Sequence, residues 1–305
     1  MNIPIISFDE GNALLEWVEF TEALAKGHSL PKAEIGDTFL YRKPDTLLTR
    51  SAWIDGMGLA VKTANIFPGN PKAGKPMING SVSLYSDSDG SLEALVDFHL
   101  VTKWKTAGDS LLGALRLANP NAAEILIVGA GTVGGSLIDA FAAGFPQAQI
   151  RVWNRTSPKA SDLAASRPGT LTAPDLESAV RAADIIVTAT MSSSPVINGD
   201  WLRPGQHLNM IGAYRPDMRE ADDVALTRAQ IYTDSFDTTL DHIGEFMIPL
   251  AAGVIKREDV LADFYQLDRF PAYDPSQITL FKNGGGAHLD LMTSHHVLQK
   301  WKVKA

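Results

Sequence analysis

The sequence predicts an α/β protein, with a doubly wound parallel sheet preceded by a mixed α+β region. Three observations predict this. The run Ile125-Leu126-Ile127-Val128 is apolar without alternation, as in a strand buried on both faces. Gly129-Ala130-Gly131-Thr132-Val133-Gly134 follows at once and matches G-x-G-x-x-G, with helix-forming residues from Ser136 onward. From 121 to about 235, strand-like and helix-like stretches alternate.

The glycine motif gives the sheet its purpose. Gly129 suits a tight turn out of the strand, Gly131 lets backbone approach a pyrophosphate, and Gly134 lets the helix pack on the strand. Thr132 and Val133 open that helix, whose free N–H groups suit phosphate. Gln149 to Trp153 reads as the second strand of a Rossmann unit, ending at Asn154-Arg155-Thr156. An acidic residue there would hold the 2′-hydroxyl of NAD. None is present, and Arg155 between Asn154 and Thr156 suits a 2′-phosphate, so NADP(H) is expected over NAD(H). A helix from Leu176 to Ala182 and a strand over Asp184 to Thr190 continue the pattern. Thr188, Thr190 and Ser192 then fall at a strand's carboxyl end, where cofactor contacts or ordinary turn chemistry are both expected. Gln206 to Gly212 and Ala229 to Asp234 supply later strands, and Gly212 closes the first of these.

Earlier in the chain, Ile3 to Phe8 reads as a strand and Gly11 to Lys26 as a helix capped by Asp9. Thr38 to Tyr41 and Asp45 to Trp53 read as strands around Lys43-Pro44-Asp45. Gly58 to Phe67 is another strand. Ser81 to Ser86 and Ser91 to Val96 form a hairpin, and Leu100 to Leu117 a helix ended by Asn119-Pro120. The stretch 241–275 gives helical fragments only. Gln277 to Asn283 reads as a strand, followed by Gly284-Gly285-Gly286 and a helix reaching to near Trp301.

Bulk properties narrow the class of function. The 305 residues suffice for two domains, and 45% hydrophobic content is that of a globular protein. A net charge of −8 argues against nucleic acid or an anionic membrane as partner. No apolar run approaches the roughly 20 residues of a membrane helix, and residues 1–7 lack the pattern of a secretory leader. Zero cysteines exclude disulfides, a thiolate nucleophile and Cys-ligated metal, which fits a cytoplasmic enzyme. His295-His296 has no acidic or histidine partner at useful spacing, so it reads as surface and no metal site is expected.

Several blocks, in order, resemble the ornithine cyclodeaminase/μ-crystallin family. They are Val61 to Asn70, Trp104 to Gly108, Gly129-Ala130-Gly131, Trp153 to Thr156, Ala183 to Thr190, Pro204 to Gly212 and Arg215 to Glu220. The resemblance covers nearly the whole chain. It implies a homodimer, with the Rossmann domain (119–283) inserted in a substrate-binding and dimerisation domain (1–118 and 284–305), and an active site in the cleft between them.

The resemblance also implies site residues. Lys62 matches the family's pocket lysine and is the catalytic candidate; its place mid-strand among apolar residues would make an idle lysine costly. Lys105 stands where the family has a carboxylate-gripping arginine; alone it would more often be a solvated helix residue. Lys32 or Arg50 would supply a second cation, and Ser81 falls where a threonine is common. Lysine brings charge without a bidentate fork, so the grip differs from the family pattern. Asp290 caps the last helix, and the glycine run before it either serves the turn or approaches the nicotinamide.

True cyclodeaminases carry an Asp after the glycine that ends the later strand. Here Tyr214 stands there, in Gly212-Ala213-Tyr214-Arg215. The expected function is therefore NADPH-dependent reduction of a small cyclic imino acid, Δ1-pyrroline-2-carboxylate to L-proline. Ornithine cyclodeamination with bound NAD, an alanine- or opine-type dehydrogenase, and a catalytically silent ligand-binding protein are the alternatives.

Overall fold

The computed structural model describes residues 3–304; Met1, Asn2 and Ala305, the first two part of the stretch read for a leader, lie outside it. Its elements run β1 (Ile5–Ile6), α1 (Phe8–Asn12), α2 (Trp17–His28), β2 (Glu34–Arg42), β3 (Asp45–Ile54), β4 (Gly58–Ile66), β5 (Ile78–Tyr85), β6 (Leu92–Asp97) and α3 (Phe98–Leu117). Then come β7 (Glu124–Val128), α4 (Thr132–Gly144), β8 (Gln149–Trp153), α5 (Ser157–Ala165), β9 (Leu171–Thr172), α6 (Leu176–Ala182), β10 (Ile185–Thr188) and β11 (His207–Met210). The last are α7 (Asp223–Arg228), β12 (Gln230–Thr233), α8 (Phe236–Thr239), α9 (Gly244–Ala251), β13 (Val260–Ala262), β14 (Thr279–Lys282) and α10 (Ala287–Lys304). Among the described residues no helix is long and apolar enough to cross a membrane.

Two compact units are distinguished. One comprises the chain up to Lys105 together with the chain from Gly286 onward; the other is Thr106–Gly285. The expected boundaries, after 118 and 283, shift. Sequence placed the first at the helix-ending Asn119-Pro120, but it falls inside α3. The second half of that helix packs within the later unit: a Cβ on Gly113 would lie 2.7 Å from the Phe281 ring.

In the first unit a six-stranded sheet has the order β1-β6-β5-β4-β3-β2, antiparallel except for the β1–β6 pair. Pairing sets Ala52 opposite Ala60 and Arg50 opposite Lys62, then Lys62 opposite Val82. Residues paired in this way share a face. Ala52, Ala60, Val82 and Leu84 on that face are buried, and α10 lies against β3 and β4. Small side chains permit the close approach. On the other face Trp53 and Leu40 stay exposed, and on the Arg50 side of β2 Ile35, Phe39 and Tyr41 are exposed as well.

The N-terminal expectation changes. Strand β1 is two residues long, and two short helices replace one. Ser7, not Asp9, starts the first helix: its N–H and hydroxyl both reach the Glu10 carboxylate, at 3.2 and 2.6 Å.

In the second unit eight strands, all parallel, run β13-β12-β14-β11-β10-β7-β8-β9. Chain order reverses at β7, so the carboxyl ends of β7 and β10 flank the switch point where such sheets bind ligands. β8 and α6 match the sequence reading at both ends. Strand β13, within the stretch read as helical fragments, is new.

Candidate active site

Strand β4 carries Lys62 on the face that α3 and α10 cover. Its exposure is 4%, so its charge must be met by protein groups. Nζ donates to Asp290 Oδ1 at 2.9 Å and to Thr102 Oγ1 at 2.8 Å, and lies 4.5 Å from the Phe98 ring centre. Phe98, Thr102 and Lys105 follow helical spacing along α3, which turns all three toward the same surface. Lys105 is likewise buried. Its ammonium lies 2.9 Å from Asp290 Oδ1 and 3.4 Å from the Gly286 carbonyl.

One carboxylate oxygen therefore serves two ammonium groups. Asp290 Oδ2 is buried and has no hydrogen-bond partner among the described residues. Arg50, next to Lys62 across the sheet, is engaged by Asp37 on β2, with Nε 3.0 and 3.1 Å from the two carboxylate oxygens. Lys62, Lys105 and Arg50 against Asp290 and Asp37 leave one surplus positive charge. Burial lowers Lys62 to about 8, against the pull of Asp290 and with the push of Lys105. Burial alone would raise Asp290, but Lys105, Lys62 and Arg50 hold it at about 2.

The other expected substrate residues sit elsewhere. Ser81 pairs with Thr63 and Asp97, one position out of phase with Lys62, so it faces the opposite side of the sheet. Lys32 is exposed in the turn between α2 and β2. The structure thus brings together Lys62, Lys105 and, across the β3–β4 pair, Arg50, but neither Ser81 nor Lys32. Asp290 and Thr102 were missed as site residues. Asp290 stands in the first turn of α10, 228 positions from Lys62, and its only local signal was that of a helix cap. His295 and His296 are half-buried, not surface residues; the His296 ring lies 5.7 Å from Phe20.

In the second unit the glycine motif has the expected mechanics. Gly129 has φ +123°, and a Cβ there would lie 2.6 Å from the Ala189 carbonyl oxygen. A Cβ on Gly134 would meet the Gly129 oxygen at 2.2 Å. A Cβ on Gly131 would meet nothing within 4 Å, so space stands open at the N-cap of α4. Gly131 has no side chain to cap the helix, and Thr132 and Val133 form its uncapped first turn. Asn154 ties this loop to the end of β8: Ala130 N–H donates to its Oδ1 at 3.2 Å, and its Nδ2 donates to the Thr156 carbonyl at 3.0 Å. Arg155 and Thr156 are exposed beside the start of α5.

Thr188 ends β10 next to Val128, its hydroxyl buried without a hydrogen-bond partner among the described residues. Thr190 N–H and hydroxyl donate to Glu220 Oε1 at 2.7 and 2.8 Å, and Gly212 N–H to Oε2 at 2.6 Å. Glu220, missed as a site residue, thereby fixes both loops at the strand ends. The Ser192 hydroxyl donates to the Ser194 carbonyl at 2.6 Å, so it closes its own turn. The glycine run is explained by the turn. Gly285 has φ +68°, and Asp234 Oδ2 accepts the N–H groups of Gly284 and Gly285 at 2.9 and 2.6 Å. An open N-cap, an unpartnered buried hydroxyl and a cationic strand end without a carboxylate fit a dinucleotide.

The ornithine cyclodeaminase/mu-crystallin family model matches residues 52–305. The chain belongs to this family. It is 46% identical over 300 residues to a Δ1-pyrroline-2-carboxylate reductase of Paracoccus denitrificans, covering 96% of this chain and 95% of that one. It is 32% identical over 246 residues to the ketimine reductase mu-crystallin of Rattus norvegicus, covering 80% and 76%. Among solved structures, Δ1-pyrroline-2-carboxylate reductase of Thermococcus litoralis, in complex with NADH and L-proline, superposes with a TM-score of 0.90. That match has 23% identity over 99% of this chain and 98% of that one, and shows the shared fold.

Proposed function

We propose that the protein is a nicotinamide-dependent oxidoreductase that reduces a small cyclic imino acid, Δ1-pyrroline-2-carboxylate to L-proline, and prefers NADPH to NADH. The observation that carries this is the buried Lys62–Asp290–Lys105 cluster and its one surplus positive charge. A monocarboxylate substrate neutralises that surplus. The activities for which the Paracoccus and rat relatives are named support the same reading.

Lys105 and Arg50 attract the carboxylate. Lys62, fixed by Thr102 and Asp290, donates a proton to the imine nitrogen. An ammonium lowered to about 8 is still protonated at neutral pH but releases its proton more readily than an ordinary lysine. When bound, the reduced nicotinamide supplies the hydride to the imine carbon. Gly129, Gly131, Thr132 and Val133 would hold its pyrophosphate, and Thr188, Thr190 and Gly212 would line the nicotinamide end. Asn154, Arg155 and Thr156 would take a 2′-phosphate. Ser192 shapes the adjoining turn. The position of Tyr214, exposed beneath Arg215, offers no carboxylate for a substrate amine, which disfavours cyclodeamination.

The first unit would serve substrate binding and dimerisation. The exposed apolar residues of β2 support a homodimer.

The test is cofactor oxidation with Δ1-pyrroline-2-carboxylate, using NADPH and NADH in parallel and L-ornithine as control. Turnover fastest with NADPH and none with ornithine is expected. Ammonia release from ornithine without imine reduction would overturn the reading.

A further inference from the structure

Family resemblance supplied the two lysines of the site but gave Asp290 no role beyond a helix cap. Its surroundings call for more. Among the described residues, the groups around it and Lys62 are Arg50 on β3 with Asp37 on β2, Lys105, Thr102 and Phe98 on α3, and His288 on α10. His28 on α2 lies against His288, ring centres 5.5 Å apart, and burial keeps both rings from taking up a proton. Among these groups Asp290 is the anion that touches Lys62, and Lys105 touches the same oxygen. If neutralising Lys62 were its whole task, a second ammonium on Oδ1, with Oδ2 left unbonded, would only weaken it.

We propose that Asp290 is a positioning residue that couples carboxylate binding at Lys105 to proton donation at Lys62, by holding both ammonium groups on one oxygen. In the structure the two lysines share Oδ1. A substrate carboxylate that draws Lys105 leaves Oδ1 to Lys62, which keeps its proton until the imine nitrogen is in place. When that proton has passed to nitrogen, Lys105 returns to Oδ1 as the partner of Asp290, so no lone carboxylate is stranded in the interior. The positive end of α10 supports the same carboxylate from its own first turn. The inference rests on the reading of Lys62 as proton donor.

The test follows the titration of Lys62 directly, by carbon NMR of protein labelled at the lysine Cε. The resonance is assigned by its loss in Lys62→Arg. This measurement needs no substrate, so it stands apart from whether imines are reduced. Asp290→Asn is expected to lower the Lys62 midpoint by about one pH unit or more, because an attractive charge is lost. The alkaline limb of the kcat/KM profile should move down with it, and Asp290→Glu should restore it. Lys105→Met is expected to move the midpoint the opposite way, upward, because a repulsive charge is lost and Oδ1 belongs to Lys62 alone.

An aspartate that acts only on the fold, and not on the charge of Lys62, predicts neither shift. An unchanged Lys62 midpoint in Asp290→Asn, or a shift in the same direction in Lys105→Met, overturns the proposal. If Asp290→Asn does not fold, Lys105→Met decides alone: an upward shift supports the coupling and no shift overturns it. Both shifts in a protein that reduces no imine would sink the functional reading while leaving the charge coupling in place.

Discussion

Each unit buries a cluster of charges, and the two clusters are built differently. In the first unit the contacts of Lys62, Lys105 and Asp290 are mostly between side chains, cations outnumber anions, and one carboxylate oxygen has no hydrogen bond among the described residues. In the second unit the carboxylates of Glu220, Glu245 and Asp234 are gripped by backbone. Glu220 accepts from Thr190 and Gly212, Glu245 from the N–H groups of Glu220 and Ala221, and Asp234 from Ser235, Gly284 and Gly285. The buried Lys282 gives its protons to the Met210 and Asn283 carbonyls. Backbone partners cannot leave without unfolding a loop, whereas side-chain partners can exchange for a ligand. The difference separates charges that shape loops from charges whose partners are free to exchange.

The largest effect is expected at Lys62. Lys62→Met should keep the fold and lose roughly a hundredfold or more in kcat for imine reduction, as removal of a general acid does. A wild-type rate would move the chemistry away from this cluster. Next in size, Arg155→Asp should lower the preference for NADPH over NADH by roughly tenfold in kcat/KM, since it replaces a phosphate partner with a repelling charge. Lys62-dependent pH behaviour should be untouched by that change.

The second cluster should announce itself through stability. Burial first, then the neighbouring Glu220, raises Glu245 to about 7 in the folded protein. Folded Glu245 thus keeps a proton that the unfolded chain releases above its ordinary value of 4.5. Its contribution to stability is full below that value and is lost as pH rises through about 7. Glu245→Gln abolishes this titration. Its thermal midpoint relative to the wild type should therefore climb by a few degrees between pH 5 and pH 8, whatever the offset from the altered hydrogen bonding. A difference independent of pH would show that Glu245 is ionised throughout. Smallest of all is Ser81→Ala. On the face of the sheet away from Lys62, it should change kcat/KM by less than about twofold.

The same contrast governs what sequence could reveal. The glycine motif, β8 and its cationic end were legible because each depends on neighbours within a few positions. Lys62 was legible because a charge in the middle of an apolar strand is anomalous on its own. Asp290 was not, since its meaning arises only when α10 returns to β4 across 228 positions. The misplacement of Ser81 has a similar source: a motif match carries no register, and one residue of register inverts the face. Strand β13 and the insertion of β14 between β11 and β12 depend on parallel pairing between distant segments, which local pattern does not encode.

The proposed reaction is hydride transfer to the carbon of a C=N bond with the proton delivered to nitrogen. The most direct measurement is the isotopic content of the product when Δ1-pyrroline-2-carboxylate is reduced with NADPH deuterated at nicotinamide C4 on the transferred face. L-proline carrying one deuterium at Cα, formed in step with NADPH consumed, is expected. Proline without deuterium, or proline formed only from ornithine with release of ammonia, would contradict it.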